Sequence, residues 1–167
     1  MKATLVVEGK EFPIEINDPE LQKLIAPPKK TGYELVKDGQ TYSFVNNYGE
    51  VITVDHQDDD DDNRYSDANY YSSAIVAENN ARADKLMRQL RRFAVESRIV
   101  KPDWNKKDVR KWVIYYDATR KVLDVTDSCF NQYFGTIYFD LALRAKQAIA
   151  NYTDELIWYF TEYKDSL

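Results

Sequence analysis

Apolar and polar residues alternate with a period of two in several short stretches of the chain and switch twice to a helical period. Residues 2–16 alternate and predict a two-stranded hairpin that turns at Gly9, where a tight turn needs a positive φ. Asp18 followed by Pro19 is typical of a helix start, so a short helix is expected before the next proline pair. Residues 1–30 are therefore predicted to form an N-terminal appendage of one hairpin and one short helix.

The rest of the chain contains an internal repeat, with one copy in residues 32–100 and the second in residues 101–167. In each copy, two alternating segments are followed by a loop, an aromatic pair and a long segment of helical period. The repeat predicts an α+β fold built from a duplicated strand–strand–helix unit. We expect the four strands to combine into one antiparallel sheet, with the two long helices across one face and both copies in one compact domain.

Aligning the two copies gives predictions for single residues. Tyr42 aligns with Trp112, so these two rings are expected at equivalent core positions. Ser72 and Asp140 follow the aromatic pairs directly, and both residue types are common N-caps, so they are expected to cap the two long helices. The aromatic pairs themselves are Tyr70–Tyr71 and Tyr138–Phe139.

Composition indicates a globular protein outside the membrane. Apolar residues make up 44% of the 167 residues, which is enough for a core, and no run approaches the roughly 18–20 apolar residues that span a bilayer. The first residues reach a glutamate and a glycine too early for a signal peptide. Cys129 is the single cysteine, which excludes an intramolecular disulfide and suits a reducing compartment. We expect a cytoplasmic location.

Five consecutive aspartates at residues 58–62 form an acidic run. Calcium loops place their carboxylates at alternate positions and have a glycine at the bend. The aspartates of this run are consecutive and no glycine follows them, so we expect no metal site. We also expect no cofactor. The run is predicted to be a solvated loop whose replacement by serine leaves stability unchanged. It is also a candidate surface for a basic protein partner. The candidate partner-binding residues are Asp58, Asp59, Asp60, Asp61, Asp62 and Tyr65.

A basic stripe follows on the first long helix. A cationic helix face can bind phosphates, which makes nucleic-acid binding an alternative function. The opposing interpretation is that these cations neutralise the protein's own acids, the acidic run among them. A net charge of −5 disfavours a bulk electrostatic grip on nucleic acid. The stripe consists of Arg82, Lys85, Arg88, Arg91 and Arg92.

Residues that could carry catalysis are few. His56 is the only histidine, and neighbouring aspartates would hold its proton rather than leave it free as a general base. Cys129 has no histidine nearby in sequence and is expected to pack as an ordinary side chain. The sequence contains no glycine-rich phosphate loop and no zinc-ligand spacing. We therefore predict that the protein is not an enzyme.

The turn "YGEV", the step "ANYY", the helix "RADKLMRQLRRFA" and the segment "YFGTIYF" are the most distinctive stretches of residues 32–165. In these stretches the chain resembles a group of small proteins from phages and prophages of Gram-positive bacteria. The resemblance implies a non-structural accessory protein of a mobile element, acting in the host cytoplasm. The acidic run is not expected across that group.

With no catalytic residues predicted, function is expected to come from a binding surface. An acidic domain can occupy a basic groove built for nucleic acid, because its carboxylates share the sign of the phosphate field. We expect a modulator or inhibitor of a host protein, such as a CRISPR or restriction system that handles nucleic acid. The alternatives are nucleic-acid binding through the basic stripe, and an oligomeric phage component, for example a homodimer formed through the N-terminal hairpin.

Overall fold

The structure is a computed structural model, and it divides into two compact units, Met1–Glu34 and Leu35–Leu167. Two predicted features lie outside the described residues: the body of the short N-terminal helix at 22–29 and the end of the second repeat at 164–167. The described residues are 2–7, 9–19, 21, 30–101, 103–106 and 108–163.

The first unit contains the predicted hairpin. Strand β1 (Lys2–Val7) pairs antiparallel with β2 (Lys10–Glu15), and Gly9 between them takes a φ of 77°. The predicted helix start is also present, because the Leu21 N–H donates to the Asp18 carboxylate at 3.2 Å. Dimerisation through this hairpin stays a prediction.

The second unit confirms the mixed α+β class. Its strands pair only within hairpins, β3 with β4 and β5 with β6, so among the described residues two two-stranded sheets replace the single four-stranded antiparallel sheet that the sequence predicted. The elements are β3 (Thr41–Val45), β4 (Val51–Asp55), α1 (Asp59–Ser66), α2 (Ala74–Glu96), β5 (Lys111–Asp117), β6 (Val122–Ser128), α3 (Ala142–Trp158) and a π-helical turn (Tyr159–Tyr163).

The two halves of this unit both place a hairpin before a long helix, as predicted, although α1 of the first half has no counterpart among the described residues of the second. In each half the chain pairs back onto the first strand of its own hairpin just before the long helix. Ser43 and Tyr71 exchange two backbone hydrogen bonds of 2.8 Å, and Trp112 and Phe139 exchange two more of 2.8 Å. Each bridge thus adds a short third segment beside the first strand of its hairpin, β3 in the first half and β5 in the second.

The same bridges correct the alignment of the copies by one residue. They make Tyr42 equivalent to Lys111, so the predicted equivalence of Tyr42 and Trp112 is wrong. A shift of one residue along a strand exchanges the two faces of the sheet. The alignment matched two large rings, whereas the residue that is fully buried at this position of the second copy is Lys111, whose Nζ donates to the carbonyls of Lys106 and Cys129 at 3.3 Å.

The predicted caps of the long helices are also displaced by one residue. The observed N-caps are Ser73 for α2 and Leu141 for α3, and neither makes a capping hydrogen bond with its side chain. Ser72 and Asp140 lie one residue earlier, so the prediction of their capping role is wrong. The Asp140 carboxylate instead accepts the backbone N–H groups of residues 99–100, at 2.7 and 3.0 Å.

One hydrophobic core joins the two copies. Ala77 and Ala145, each the fourth residue of its helix, are both fully buried, which suits close packing over the hairpins. No helix within the described ranges combines the length and the apolarity needed to cross a membrane. The central cluster consists of Leu86, Leu90, Ala94, Phe139, Ala145, Ala148 and Leu156.

Candidate binding surfaces

The acidic run begins a helix, so the predicted solvated loop is wrong. Asp58 is the N-cap of α1, and its carboxylate accepts the Asp60 N–H at 3.0 Å. The Asp61 carboxylate reaches back to the Asp58 N–H at 3.2 Å and completes a capping box. Residues 59–62 fill the first turn, where free N–H groups and the helix dipole favour negative charge. The helix start thus offsets the repulsion that consecutive aspartates suggest.

Asp61 differs from its neighbours because it is buried, with 3% of its surface exposed. Its Oδ1 accepts hydrogen bonds from the Tyr42 hydroxyl and from Arg64 Nη1, the latter at 2.8 Å. Arg64 Nη1 also donates to the Tyr42 hydroxyl at 2.7 Å, which closes a three-membered network. On the other side, Oδ2 accepts the Gln57 N–H at 2.7 Å. This network attaches α1 to strand β3.

The protonation of the network follows from its hydrogen bonds. Burial by itself raises the pKa of Asp61, but the bonds donated by Tyr42, Gln57 and Asp58 outweigh it and lower the pKa to about 2. Burial and the bond to Asp61 raise the pKa of Tyr42 to about 12. The bond to Tyr42 raises the pKa of Arg64. At neutral pH the network therefore holds one carboxylate, one neutral hydroxyl and one guanidinium.

Aromatic rings surround this network. The rings of Tyr42 and Tyr70 stack with centroids 3.8 Å apart and an interplanar angle of 8°. Tyr65 and His56 meet the Tyr70 ring edge to face, at 5.4 and 5.9 Å. His56 is buried, its Nδ1 has no hydrogen-bond partner, and the Asp61 Oδ2 lies 3.9 Å away. The histidine thus belongs to the packing behind α1.

The other four aspartates of the run are exposed. Among the described residues, Asp58, Asp59 and Asp60 form no ion pair, while Asp62 lies 4.0 Å from His56 Nε2. Tyr65, one turn further on, is 44% exposed. We call this set the acidic helix surface: Asp58, Asp59, Asp60, Asp62 and Tyr65. Of the six candidate residues named from the sequence, only Asp61 is buried and therefore does not belong to the acidic helix surface.

Acid should weaken the fold through Asp61. Its pKa falls from 3.8 to about 2 on folding, so its contribution is fully present above the unfolded value and is lost as the pH falls from 3.8 through 2. The shift corresponds to about 2 kcal/mol. Urea unfolding of the wild type and of Asp61→Asn at pH 7, 4, 3 and 2 should show a stability gap that closes over this window. If the free energy of unfolding fell equally in both proteins between pH 4 and pH 2, Asp61 would not be the group responsible.

The basic stripe is partly engaged, but not with the acidic run. Arg82 Nε lies 2.8 Å from a Glu155 oxygen, and Arg92 Nε lies 3.9 Å from Glu96. The Arg82 guanidinium also lies over the Trp158 ring, 3.9 Å from its centroid. The stripe therefore neutralises acids of the two long helices. The three remaining cations, Lys85, Arg88 and Arg91, are exposed and form no ion pair within the described part of the chain.

A cavity that was not predicted from the sequence lies at the end of α2. It is an open cavity of about 490 Å³, lined by the end of α2, by described residues of the connection to β5 and by the segment before α3. The only signal in the sequence was the mixture of cations with a tryptophan in the connection. Its described lining is Arg91, Ala94, Val95, Arg98, Lys101, Trp104, Gly135, Thr136, Ile137 and Tyr138.

Comparisons with protein-family models, with curated proteins and with solved structures find no match for this chain. Across the described residues, no group of three or more histidine, cysteine, aspartate or glutamate side chains is placed to hold a metal ion. The surfaces from which a function can be inferred are the acidic helix surface, the basic stripe and the cavity.

Proposed function

We propose that this protein is a non-catalytic binding protein that modulates or inhibits another protein through the acidic helix surface. The partner carries a basic groove or patch, of the kind that proteins use to hold nucleic acid. The resemblance to phage accessory proteins supports a host protein as the partner, such as a CRISPR or restriction system. The protein then acts in the host cytoplasm.

The observation that carries this proposal is the inward orientation of Asp61. Tyr42, Arg64 and the backbone of residues 57–58 hold its carboxylate, and they fix α1 against strand β3. The four exposed carboxylates consequently occupy one rigid helix start. A surface ordered in advance loses little conformational entropy when it binds.

The charge of this surface suits a basic partner. Asp58, Asp59 and Asp60 form no ion pair among the described residues, so their field is not cancelled locally. Clustered charge of one sign steers an oppositely charged protein into encounter and raises the association rate. Tyr65 adds a half-exposed ring beside the carboxylates, and tyrosine is enriched at recognition surfaces.

The test changes the four exposed aspartates to asparagine and keeps Asp61. Asparagine caps helices as well as aspartate does, so α1 should remain folded. Tagged wild type and variant are used to capture proteins from a lysate of a Gram-positive host, and the association rate of each captured protein is measured at low and high salt. We expect the variant to associate about tenfold more slowly at low salt and to lose most of the salt dependence.

The control variant neutralises four exposed acids elsewhere, namely Glu78, Asp84, Asp108 and Asp154. It has the same net charge as the test variant and should bind like the wild type. Equal association rates for all three proteins would refute the proposal. If the protein instead binds nucleic acid through Lys85, Arg88 and Arg91, both variants should capture as much nucleic acid as the wild type, or more.

A further inference from the structure

The cavity at the end of α2 combines cations with aromatic rings. Arg91 in the last turns of α2 and Arg98, two residues beyond the end of this helix, both line it. Lys101 adds a third cation, and Trp104 and Tyr138 add two rings that meet edge to face with centroids 4.8 Å apart. No carboxylate is present in the described lining.

The three cations of the cavity have no ion-pair partner among the residues that the structure describes. In the described part of the chain, none of Arg91, Arg98 and Lys101 forms an ion pair. The Nε of Arg98 is buried and has no hydrogen-bond partner. A buried donor without a partner is costly, and like charges around one cavity repel each other. An anion with several acceptor oxygens would relieve both effects.

Contacts within the chain hold part of the cavity wall in place. Asp140 accepts the N–H groups of residues 99–100 at 2.7 and 3.0 Å and thus anchors the connection between Arg98 and Lys101. The Nζ of Lys111 lies 4.8 Å from the Trp104 ring centroid. The Tyr138 hydroxyl is engaged inside its own loop, where it accepts the N–H of residue 133, so only the Tyr138 ring is available to a ligand.

We propose that this cavity binds a nucleoside phosphate. The guanidinium groups of Arg91 and Arg98 and the ammonium of Lys101 bind the phosphate oxygens, because a guanidinium fork matches phosphate geometry. The base lies against Trp104 and the apolar wall, since aromatic side chains stack on nucleobases. The proposal is independent of the acidic helix surface.

Size and chemistry favour this ligand over other anions. A cavity of about 490 Å³ falls in the range of small-molecule sites and holds one nucleotide. Inorganic phosphate would leave the rings and the apolar wall of Ala94, Val95 and Ile137 unused. An acidic peptide would need an extended groove. The nucleotide unit is either a free molecule or the end of a single strand.

The test is calorimetric titration of the full chain with three probes: adenosine diphosphate, inorganic pyrophosphate and a short 5′-phosphorylated oligothymidine. We expect adenosine diphosphate to bind with a Kd below about 100 µM. Arg98→Ala should weaken the binding of adenosine diphosphate and of pyrophosphate about tenfold or more, because each ligand loses a charge-assisted hydrogen bond. Trp104→Leu should weaken the binding of adenosine diphosphate and leave the affinity for pyrophosphate unchanged.

Arg92→Ala is the matched control, because Arg92 neighbours Arg91 on α2 but does not line the cavity. It should bind all probes like the wild type. Arg91→Ala, at an exposed position, repeats the charge test if Arg98→Ala does not fold. Tighter binding of adenosine diphosphate identifies a free nucleotide, and tighter binding of the oligothymidine identifies a strand end.

Three outcomes would overturn the proposal. The first is no binding of any probe at about 1 mM, the limit of a specific weak site. The second is pyrophosphate binding as tight as that of adenosine diphosphate together with no effect of Trp104→Leu, which would show a plain anion site. The third is the result of one further titration, in which an acidic peptide that contains an aromatic residue binds more tightly than adenosine diphosphate.

Discussion

Replacing Asp61 with alanine should lower the free energy of unfolding by about 3 kcal/mol, the scale for removing one partner of a buried ion pair. The change leaves the Tyr42 hydroxyl and the Gln57 N–H without their acceptor and removes the carboxylate that pairs with Arg64. It also breaks one side of the capping box that starts α1. Urea unfolding at pH 7, followed by circular dichroism, measures the loss.

The matched control for this experiment is Asp60→Ala. Asp60 is the preceding residue of the same helix turn, but it is exposed and forms no ion pair among the described residues. Asp60→Ala should lower the free energy of unfolding by less than about 1 kcal/mol, which is the stabilisation that a carboxylate near a helix start provides. A double-mutant cycle of Asp61→Asn with Tyr42→Phe should show coupling, because the two side chains share a hydrogen bond. Equal small losses for Asp60→Ala and Asp61→Ala would refute the buried network.

This comparison also separates stability from binding within one run of like residues. Asp61 positions the helix and is not available to a partner, whereas Asp58, Asp59, Asp60 and Asp62 are exposed. A partner-binding defect is therefore expected from the exposed four at nearly unchanged stability. Loss of Asp61 would act through the helix itself.

The elements that were predicted correctly depend on local patterns. Period-two alternation gave the three hairpins, and helical periodicity gave α2 and α3, because each pattern reflects one buried face. The Asp18–Pro19 helix start and the positive φ of Gly9 follow from backbone sterics alone. The repeat was detectable because both copies carry the same series of such local patterns.

The features that were missed depend on contacts far apart in sequence. Nothing near Asp61 marks it as the buried member of five identical residues, because Tyr42 lies 19 positions away. The burial of Lys111 depends on the carbonyl of Cys129, which is 18 positions away. The cavity requires α2, the connection to β5 and the segment before α3 to meet. Sequence patterns describe the face of an element but not its partner.

The shared core makes a second prediction with a large effect, namely that Leu86→Ala destabilises both copies together. Leu86 is 1% exposed and packs in the cluster that includes Phe139, Ala145 and Leu156 of the second copy. Truncating a buried leucine removes transfer free energy and leaves a cavity, which costs about 3 kcal/mol. Leu143→Ala is the matched control, because Leu143 of α3 is 61% exposed and should change stability by less than about 0.5 kcal/mol.

The three tryptophans allow this coupling to be measured, because all of them lie in the second copy, at positions 104, 112 and 158. Trp112 packs directly against the shared core. Tryptophan fluorescence in urea should therefore report the loss caused by Leu86→Ala in the first copy, with the same midpoint as circular dichroism, since one core unfolds cooperatively. A fluorescence midpoint that stays at the wild-type value while the circular dichroism midpoint falls would show that the two copies unfold independently, and the single-core interpretation would be wrong.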